Sequence, residues 1–564
     1  MSALNGKPEN PESSEPESVQ NDWQADRLNY LLVFCLAWTV RSLHIFSLSL
    51  SPIFSYKIGD AAKYDLWAKS LAAGNWIGEG VFYQAPLYPY FLGLVYSVFG
   101  HDPFTVRQVQ ACLGAISCVM IMKAASNLFG KRPGLVAGLF LTFYAPSIFL
   151  EGLIQKSVLD LFFLSMLLWL FSESLASSRK RIWLTMGLAT GALCLTRENA
   201  LVLVPIVIFW VAVGQCRAQA KTHVMPRLKC GSMFMLGLFL TLGPVSVRNY
   251  YVGGQFHLTT SQLGPNFYIG NNPQADGTYR PLLPGRGDAM FEQTDAVALA
   301  ETETGRRLTP REVSRFYLQK SGEYIWNQPF AWLRLMGLKT ALTFNAAEIL
   351  DTEDQYTLAR WSPILRISNY VFHFGTLLPI AMMGIYLTRT RWRSIWVLYL
   401  MLLAFALTVI VFFVFGRYRF PLAPILILFA APAIVDFWDR VNSWKKTNSK
   451  LSRPLVGMAT TFAFLFVVCN LRIISPTNGQ GITLSNYGVQ ALIRHDFDNA
   501  EAFLTAAVNS IPGSALAHNN LAVMYRETGR LALARHHFEL AIELEPTDTK
   551  IQANLQNLVA MIPN

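Results

Sequence analysis

Charge is scarce in this chain: Asp, Glu, Lys and Arg together make up 15% of its 564 residues, while 52% are hydrophobic and the mean hydropathy is +0.31. Soluble domains carry about a quarter charged residues, so a soluble globular protein of this size is excluded and many bilayer spans are expected. No CxxC pair and no His-rich stretch occurs. The seven cysteines, at 35, 112, 118, 194, 216, 230 and 469, lie in or beside apolar runs, which indicates neither a disulfide framework nor a zinc site. The first residues are not expected to be a secretory signal, since they lack a basic start and the first apolar run begins near Leu28 and is long enough to stay in the membrane. No Asn-x-Ser/Thr sequon is present, which favours a bacterial inner membrane over the endoplasmic reticulum. The net charge of +11 does not argue for nucleic acid, because Lys and Arg sit in short clusters between apolar stretches, where they act as topology signals.

What the chain does have is long apolar runs. They predict an all-α, polytopic transmembrane bundle of about eleven spans, near 28–50, 104–124, 134–150, 155–173, 182–196, 199–214, 230–248, 365–387, 394–414, 421–437 and 454–472. Residues 1–26, rich in Pro, Glu, Ser and Asn, are expected to form a disordered cytoplasmic tail. Basic clusters fall at Lys131-Arg132, Arg179 to Arg181, Arg217 to Lys229, Arg389 to Arg393 and Lys445 to Arg453. Each lies an even number of predicted spans from the N-terminus, so all share its side. With that side cytoplasmic, the outer loops 51–103 and 249–364, the Arg417-Tyr418-Arg419 turn and the C-terminal tail face outward. Residues 86–99 and 329–347 read as helices lying in the outer interface, since counting either as a span would misplace later basic clusters.

After the membrane part, 27–474, a unit of about 34 residues repeats. Gly488, Ala500, Leu504, Ala507 and Pro512 recur as Ala522, Ala534, Phe538, Ala541 and Pro546. Small residues at these places let paired helices approach and the prolines close each unit, which predicts a small α-helical tetratricopeptide domain over 480–564. Its expected role is protein interaction or oligomerisation.

Candidate chemistry gathers on the outer side. Asp60 and Asp65 follow the first span, Glu151 and Lys156 flank a tight turn, Arg197 and Glu198 follow the fifth span, Arg248 opens the long loop, and Arg417 and Arg419 lie between spans nine and ten. Charges at membrane depth are costly and usually face a cavity. A carboxylate among cations suits transfer from an anionic lipid carrier: the acid takes a proton from an acceptor hydroxyl and the cations stabilise the departing phosphate. Simpler roles compete. Asp65 reads as a solvated or helix-pairing charge, Arg41 as a snorkelling or structural one, Glu151 and Lys156 as a mutual pair, and Arg417 and Arg419 as headgroup contacts.

The run Gly59-Asp60-Ala-Ala-Lys-Tyr64, with Trp67-Ala68, Leu71-Ala-Ala-Gly74 and Gln84-Ala-Pro-Leu-Tyr-Pro-Tyr90, resembles the first outer loop of GT-C glycosyltransferases of the protein O-mannosyltransferase and aminoarabinose transferase type. Phe143-Tyr144-Ala145-Pro146, Glu151-Gly152-Leu153 with Lys156, Leu195-Thr196-Arg197 and Gly416-Arg417-Tyr418-Arg419-Phe420-Pro421-Leu422 look like further segments of that family, over roughly 28–437. The resemblance implies an inverting transfer of one hexosyl or pentosyl unit from a polyprenyl-phosphate carrier to a protein or lipid-linked acceptor, with Asp60 as general base. It implies substrate contacts at Tyr83, Gln84, Glu151, Lys156, Arg197, Arg417 and Arg419. It also implies no tightly held metal or other cofactor, with a weak divalent-cation dependence left open. Where many relatives carry a second acid beside the first, this chain has Gly59. The expected setting is the bacterial inner membrane, with the site and the repeats facing the periplasm and a protein partner on the repeats. The alternatives are a flippase for lipid-linked sugars and a membrane-anchored scaffold. A flippase predicts an internal repeat of the spans, and none is seen.

Overall fold

The structure is a computed structural model that describes residues 17–177, 179–213, 224–283, 285–287, 289–447 and 453–561. Cys216, much of the Arg217 to Lys229 cluster, and residues 448–452 of the last basic cluster lie outside the described residues. Apolar runs that must satisfy their own backbone groups favour helix, and the described residues form helices and no strand.

Helix α1 (Glu17–Ser49) is followed by α2 (Asp60–Ala72) and α3 (Leu87–Phe99). Then come α4 (Pro103–Phe129), α5 (Lys131–Phe143), α6 (Ala145–Gly152), α7 (Ser157–Ser174), α8 (Lys180–Thr196), α9 (Leu203–Val213) and α10 (Val224–Gly253). The long loop carries α11 (Leu263–Gly270), α12 (Ala289–Thr304), α13 (Pro310–Asn327), α14 (Pro329–Thr343) and the short α15 (Gln355–Leu358). The bundle resumes with α16 (Pro363–Val371), α17 (Phe374–Thr388), α18 (Trp392–Val411), the single turn α19 (Gly416–Arg419), α20 (Leu422–Thr447) and α21 (Arg453–Cys469). Five helices end the chain: α22 (Pro476–Ile493), α23 (Phe497–Ser510), α24 (Ala515–Glu527), α25 (Leu531–Leu544) and α26 (Thr549–Met561).

Each of the eleven apolar stretches carries helix, but the span count of eleven is not confirmed. Six helical stretches among the described residues are long and apolar enough to cross a membrane, or seven if the pair α5–α6, bent by 49°, is one span. The bend falls at Tyr144-Ala145-Pro146, where the proline cannot donate to the preceding turn. One of the six, Pro363–Val411, runs through α16, α17 and α18. The 17-residue α8 rises only about 26 Å, short of a hydrocarbon core of about 30 Å. Helix α1 already starts at Glu17, inside the stretch expected as a disordered tail, and residues 1–16 of that stretch lie outside the described residues. Pro16 is the last proline before the span, and a helix once nucleated extends at little cost.

Helix α4 packs on α1, α5 and α7; α8 packs on α10, and α17 on α20. The α8–α10 contact depends on glycine: a Cβ on Gly187 would sit 2.1 Å from the Phe234 carbonyl oxygen, and one on Gly237 2.2 Å from that of Leu184. In the C-terminal part the repeating positions Ala500, Leu504, Ala507, Ala522, Ala534, Phe538 and Ala541 are all buried, and α22–α23 and α24–α25 form the two helix pairs. The repeat core is continuous with that of the membrane part: Leu484, Tyr487 and Phe503 belong to the same apolar cluster as Ala37, Ile148 and Leu365.

Candidate active site

Asp60 opens α2, where the helix N-terminus favours a negative charge. Gly59 before it has φ +56°, and a Cβ there would lie 2.5 Å from Thr352 Cγ2, so both backbone and space demand glycine. The Asp60 carboxylate is buried. Arg417 Nη1, on α19, lies 2.5 Å from Oδ2, and Gln84 Nε2 donates to Oδ1 at 3.1 Å. Arg417 also reaches Asp351 Oδ2 with Nε at 3.0 Å. These side chains, with Lys156, Glu292 and Tyr418, line a cleft.

Burial works to raise Asp60, but the charges of Arg417 and Lys156 and the hydrogen bonds from Arg417 and Gln84 hold it below the ordinary carboxylate value. Asp351 goes the other way: burial, with Asp60 nearby, lifts it to about 6 against the pull of Arg417. Burial and the Asp60 charge push Glu292 to about 7. Because the folded value of Glu292 is raised, the unfolded chain releases the proton first as pH rises. Its penalty is absent below pH 4.5 and complete above about 7. Glu292→Gln is therefore expected to leave the thermal midpoint unchanged near pH 4.5 and to raise it above wild type at pH 8, as read by melting curves at both values.

A second, larger cavity adjoins the cleft. Lys156, Gln262, Asn266, Phe413 and Tyr418 line both. Arg197 and Glu198 add charge to it, while Leu201, Val202, Leu263 and Phe412 make it mainly apolar. Through Val202, Thr408 and Phe412 it meets a groove whose remaining lining is Ile206, Leu400, Leu403, Ala404, Leu407 and Val411, all apolar. The polar cleft thus continues, through a mainly apolar chamber, into an apolar channel between α9 and α18.

Four of the eight expected site residues meet at the cleft: Asp60, Gln84, Lys156 and Arg417. Arg197 lines the second cavity, and its guanidinium is held by Asp160 Oδ2 at 2.7 Å while donating to the Arg417 carbonyl at 2.8 Å and the Tyr418 carbonyl at 3.3 Å. It fixes the α19 turn. Glu151 is displaced from the expected site: it pairs with Arg41 at 2.6 Å, both side chains 1% exposed, because a charge buried in the bundle needs a partner there. Arg419 turns away too, bridging to Glu348 at 2.8 Å and donating to the Ala347 carbonyl at 2.8 Å. Tyr83 is buried beside Lys63, whose Nζ is 5.3 Å from the ring centroid, and does not line the cleft. Asp65, read as solvated or helix-pairing, is buried and paired with Lys57, Lys69 and His101.

The sequence reading missed Asp351, Glu292 and Tyr418 as cleft residues. A signal existed for Asp351, since Glu348 to Asp354 holds four acids in seven residues of a charge-poor chain. Among the described residues no three His, Cys, Asp or Glu side chains are placed to hold a metal ion. As a cation seat Asp60 and Asp351 do not fit, since Arg417 is ion-paired with both.

Residues 83–242 match the family described as dolichyl-phosphate-mannose-protein mannosyltransferase, and residues 515–548 match a tetratricopeptide repeat. The matched segment runs from the start of α3 into α10; it includes Gln84, Lys156 and Arg197, and leaves out Asp60, Asp351 and Arg417. No curated protein matches the chain. Among solved structures it is similar to the apo oligosaccharyltransferase of Archaeoglobus fulgidus, at 13% identity and TM-score 0.43, over 84% of this chain and 59% of that one. The chain thus spans less than two thirds of that protein. It is also similar to ArnT from Cupriavidus metallidurans bound to undecaprenyl phosphate, at 14% identity and TM-score 0.38, over 90% of this chain and 79% of that one. A further similar structure is the archaeal oligosaccharyltransferase AglB, also from Archaeoglobus fulgidus, in complex with an inhibitory peptide and a dolichol-phosphate, at 14% identity and TM-score 0.38, over 84% and 59%.

Proposed function

We propose that the chain is a membrane glycosyltransferase that moves one sugar from a polyprenyl-phosphate carrier to a hydroxyl of a protein or lipid-linked acceptor, with inversion. One observation carries the reading: the acid-and-arginine cleft continues, through Lys156 and Tyr418, into a chamber that opens on an apolar channel. A ligand with an anionic head and a long hydrocarbon tail has that shape and polarity. The tail occupies the groove between α9 and α18, and the phosphate lies near Lys156 and Arg417. The acceptor oxygen attacks the anomeric carbon, the bond from that carbon to the phosphate oxygen breaks, and the electron pair leaves on the carrier phosphate. Asp60 takes the hydroxyl proton. Lys156 and Arg417 neutralise the phosphate charge that develops.

Arg417 gives this scheme an internal trigger. With no donor bound its charge keeps Asp60 a weak base. A carrier phosphate beside Arg417 competes for the guanidinium and so raises the basicity of Asp60 only when a donor is present. A flippase would have no use for a buried base, so it is not favoured. The packing of α22 on the loop behind Asp351 supports the expected sidedness, with cleft and repeats on one face of the membrane. We place both on the periplasmic face of a bacterial inner membrane, where the repeats bind a protein partner.

The test is transfer of radiolabel from a mixed pool of polyprenyl-phosphate sugars in membranes carrying the chain. Label reaching an acceptor supports the reading, and none reaching any acceptor sinks it. Leu407→Arg places a charge in the groove. It is expected to raise KM for a long-chain donor about tenfold or more, with little change for a donor of one or two isoprene units, because only the long tail needs that surface. Equal effects on both donors would remove the groove from the donor site.

A further inference from the structure

We infer that helix α22 of the repeat array is a positioning element of the transfer site, which its Thr483, Asn486 and Tyr487 serve by holding the turn Asp351–Asp354 against the cleft; the catalytic consequence rests on the proposed transfer. Those three positions are i, i+3 and i+4 on one helix, so they share a face. Each takes hold of a different residue of the turn. The Asp354 backbone N–H donates to Thr483 Oγ1 at 2.8 Å, Asn486 Nδ2 donates to the Thr352 carbonyl at 3.1 Å, and Tyr487 Oη donates to Glu353 Oε1 at 2.8 Å. Thr483 and Tyr487 are fully buried, so these bonds satisfy groups that water cannot reach.

The inner side of the same turn forms the cleft. Asp351 meets Arg417 at 3.0 Å, the Ile349 carbonyl accepts the Gly416 N–H at 2.8 Å, and Thr352 abuts Gly59 directly before Asp60. Four residues of chain therefore separate nothing: the turn's outer face is the repeat array and its inner face is the acid–arginine centre. A second clamp supports the first, since Arg494 at the end of α22 donates to Ser55 Oγ at 2.6 Å and to its carbonyl at 2.7 Å, ahead of Gly59. A repeat module that only recruits a partner needs a tether, and nothing in that role calls for directional bonds to three consecutive residues of this turn. Reacting groups misplaced by about 1 Å lose rate steeply, so the clamp sets how Arg417 divides itself between Asp60 and Asp351.

The test uses the full chain with Thr483→Val, Tyr487→Phe and the double variant, which keep shape and remove single bonds, and Tyr525→Phe in α24 as a control remote from the turn. Two quantities are read: amide exchange of the 348–358 segment, and kcat and donor KM for transfer. Exchange at Asp354 is expected to rise about tenfold or more in Thr483→Val, and kcat to fall about tenfold in the double variant with donor KM within about twofold, while the control moves neither. Unchanged exchange overturns the proposal. So does faster exchange with unchanged kcat, or an equal loss of kcat in Tyr525→Phe, which would mean that the array is needed only as a fold. If wild type transfers nothing, the functional reading fails separately. Exchange at Asp354 then decides the positioning claim alone, faster exchange upholding it and unchanged exchange ending it.

Discussion

Asp60→Asn is expected to slow sugar transfer by roughly 10²–10⁴-fold, the usual contribution of a positioned general base. The amide keeps the shape of the carboxylate and can still accept from Gln84, while Arg417 keeps its contact with Asp351. Donor binding should therefore survive, and the loss should appear in kcat rather than KM. The pH dependence is a sharper test. In the free protein Asp60 is held below the ordinary carboxylate value, chiefly by Arg417 acting against burial, so kcat/KM stays level as pH falls through the usual Asp range and declines only below it. With donor bound, the phosphate shares Arg417 and the value rises, so the acid limb of kcat lies at higher pH than that of kcat/KM. Rates measured from acid to neutral pH check this. Coincident limbs would show that Arg417 does not pass from acid to phosphate, and an Asn variant as fast as wild type would remove Asp60 from the chemistry.

Arg417→Met is expected to cost both rate and stability. Losing one cation aimed at a departing anion typically costs about 10²–10³-fold in kcat. Breaking a buried pair adds on the order of 3–5 kcal/mol of destabilisation, because Asp60 and Asp351 are left as facing, unpaired carboxylates. The sign with pH follows. In wild type the depressed Asp60 value contributes stability above the unfolded value of about 3.8, and that stability is lost as pH falls through the folded value. In Arg417→Met both acids favour the proton, so the deficit is largest above about pH 7 and shrinks toward about pH 4, where neutral carboxyls need no partner. Melting curves across that range decide it, and a deficit independent of pH would point to packing alone. Arg417→Lys should recover part of the rate without full stability, since an ammonium supplies charge but not the guanidinium geometry that reaches two acids at once.

Much of this protein could be read from residues alone where the signal is local. Apolar runs forecast α1, α4, α7 and α10 closely, because the bilayer's demand for internally satisfied backbone acts on each segment by itself. The repeat could be read for the same reason: small residues at a fixed period, such as Ala500 and Ala534, define one helix pair at a time. Asp60 stood out because a Gly-Asp step in an aromatic loop is a local oddity in a charge-poor chain.

Pairing across the chain was beyond such reading. Glu151 and Arg41 are 110 residues apart, and Arg417 and Asp60 are 357 apart. Nothing near any of these residues says that the first pair neutralises itself inside the bundle while the second lines the cleft. The eleven-span count is not confirmed, because hydropathy registers an apolar stretch without its helix length or its bends, as at Tyr144 and in Pro363–Val411.

The sequence by itself determined the solvent, the helical class, the GT-C resemblance, the repeat tail and one acid, since each depends on composition or spacing within a few turns. Only the tertiary structure decided which cations face Asp60, that Asp351 shares Arg417 with it, that an apolar channel leads to them, and that the repeat array grips the turn behind them. Those are distances between segments remote in sequence, and packing rather than local propensity sets them.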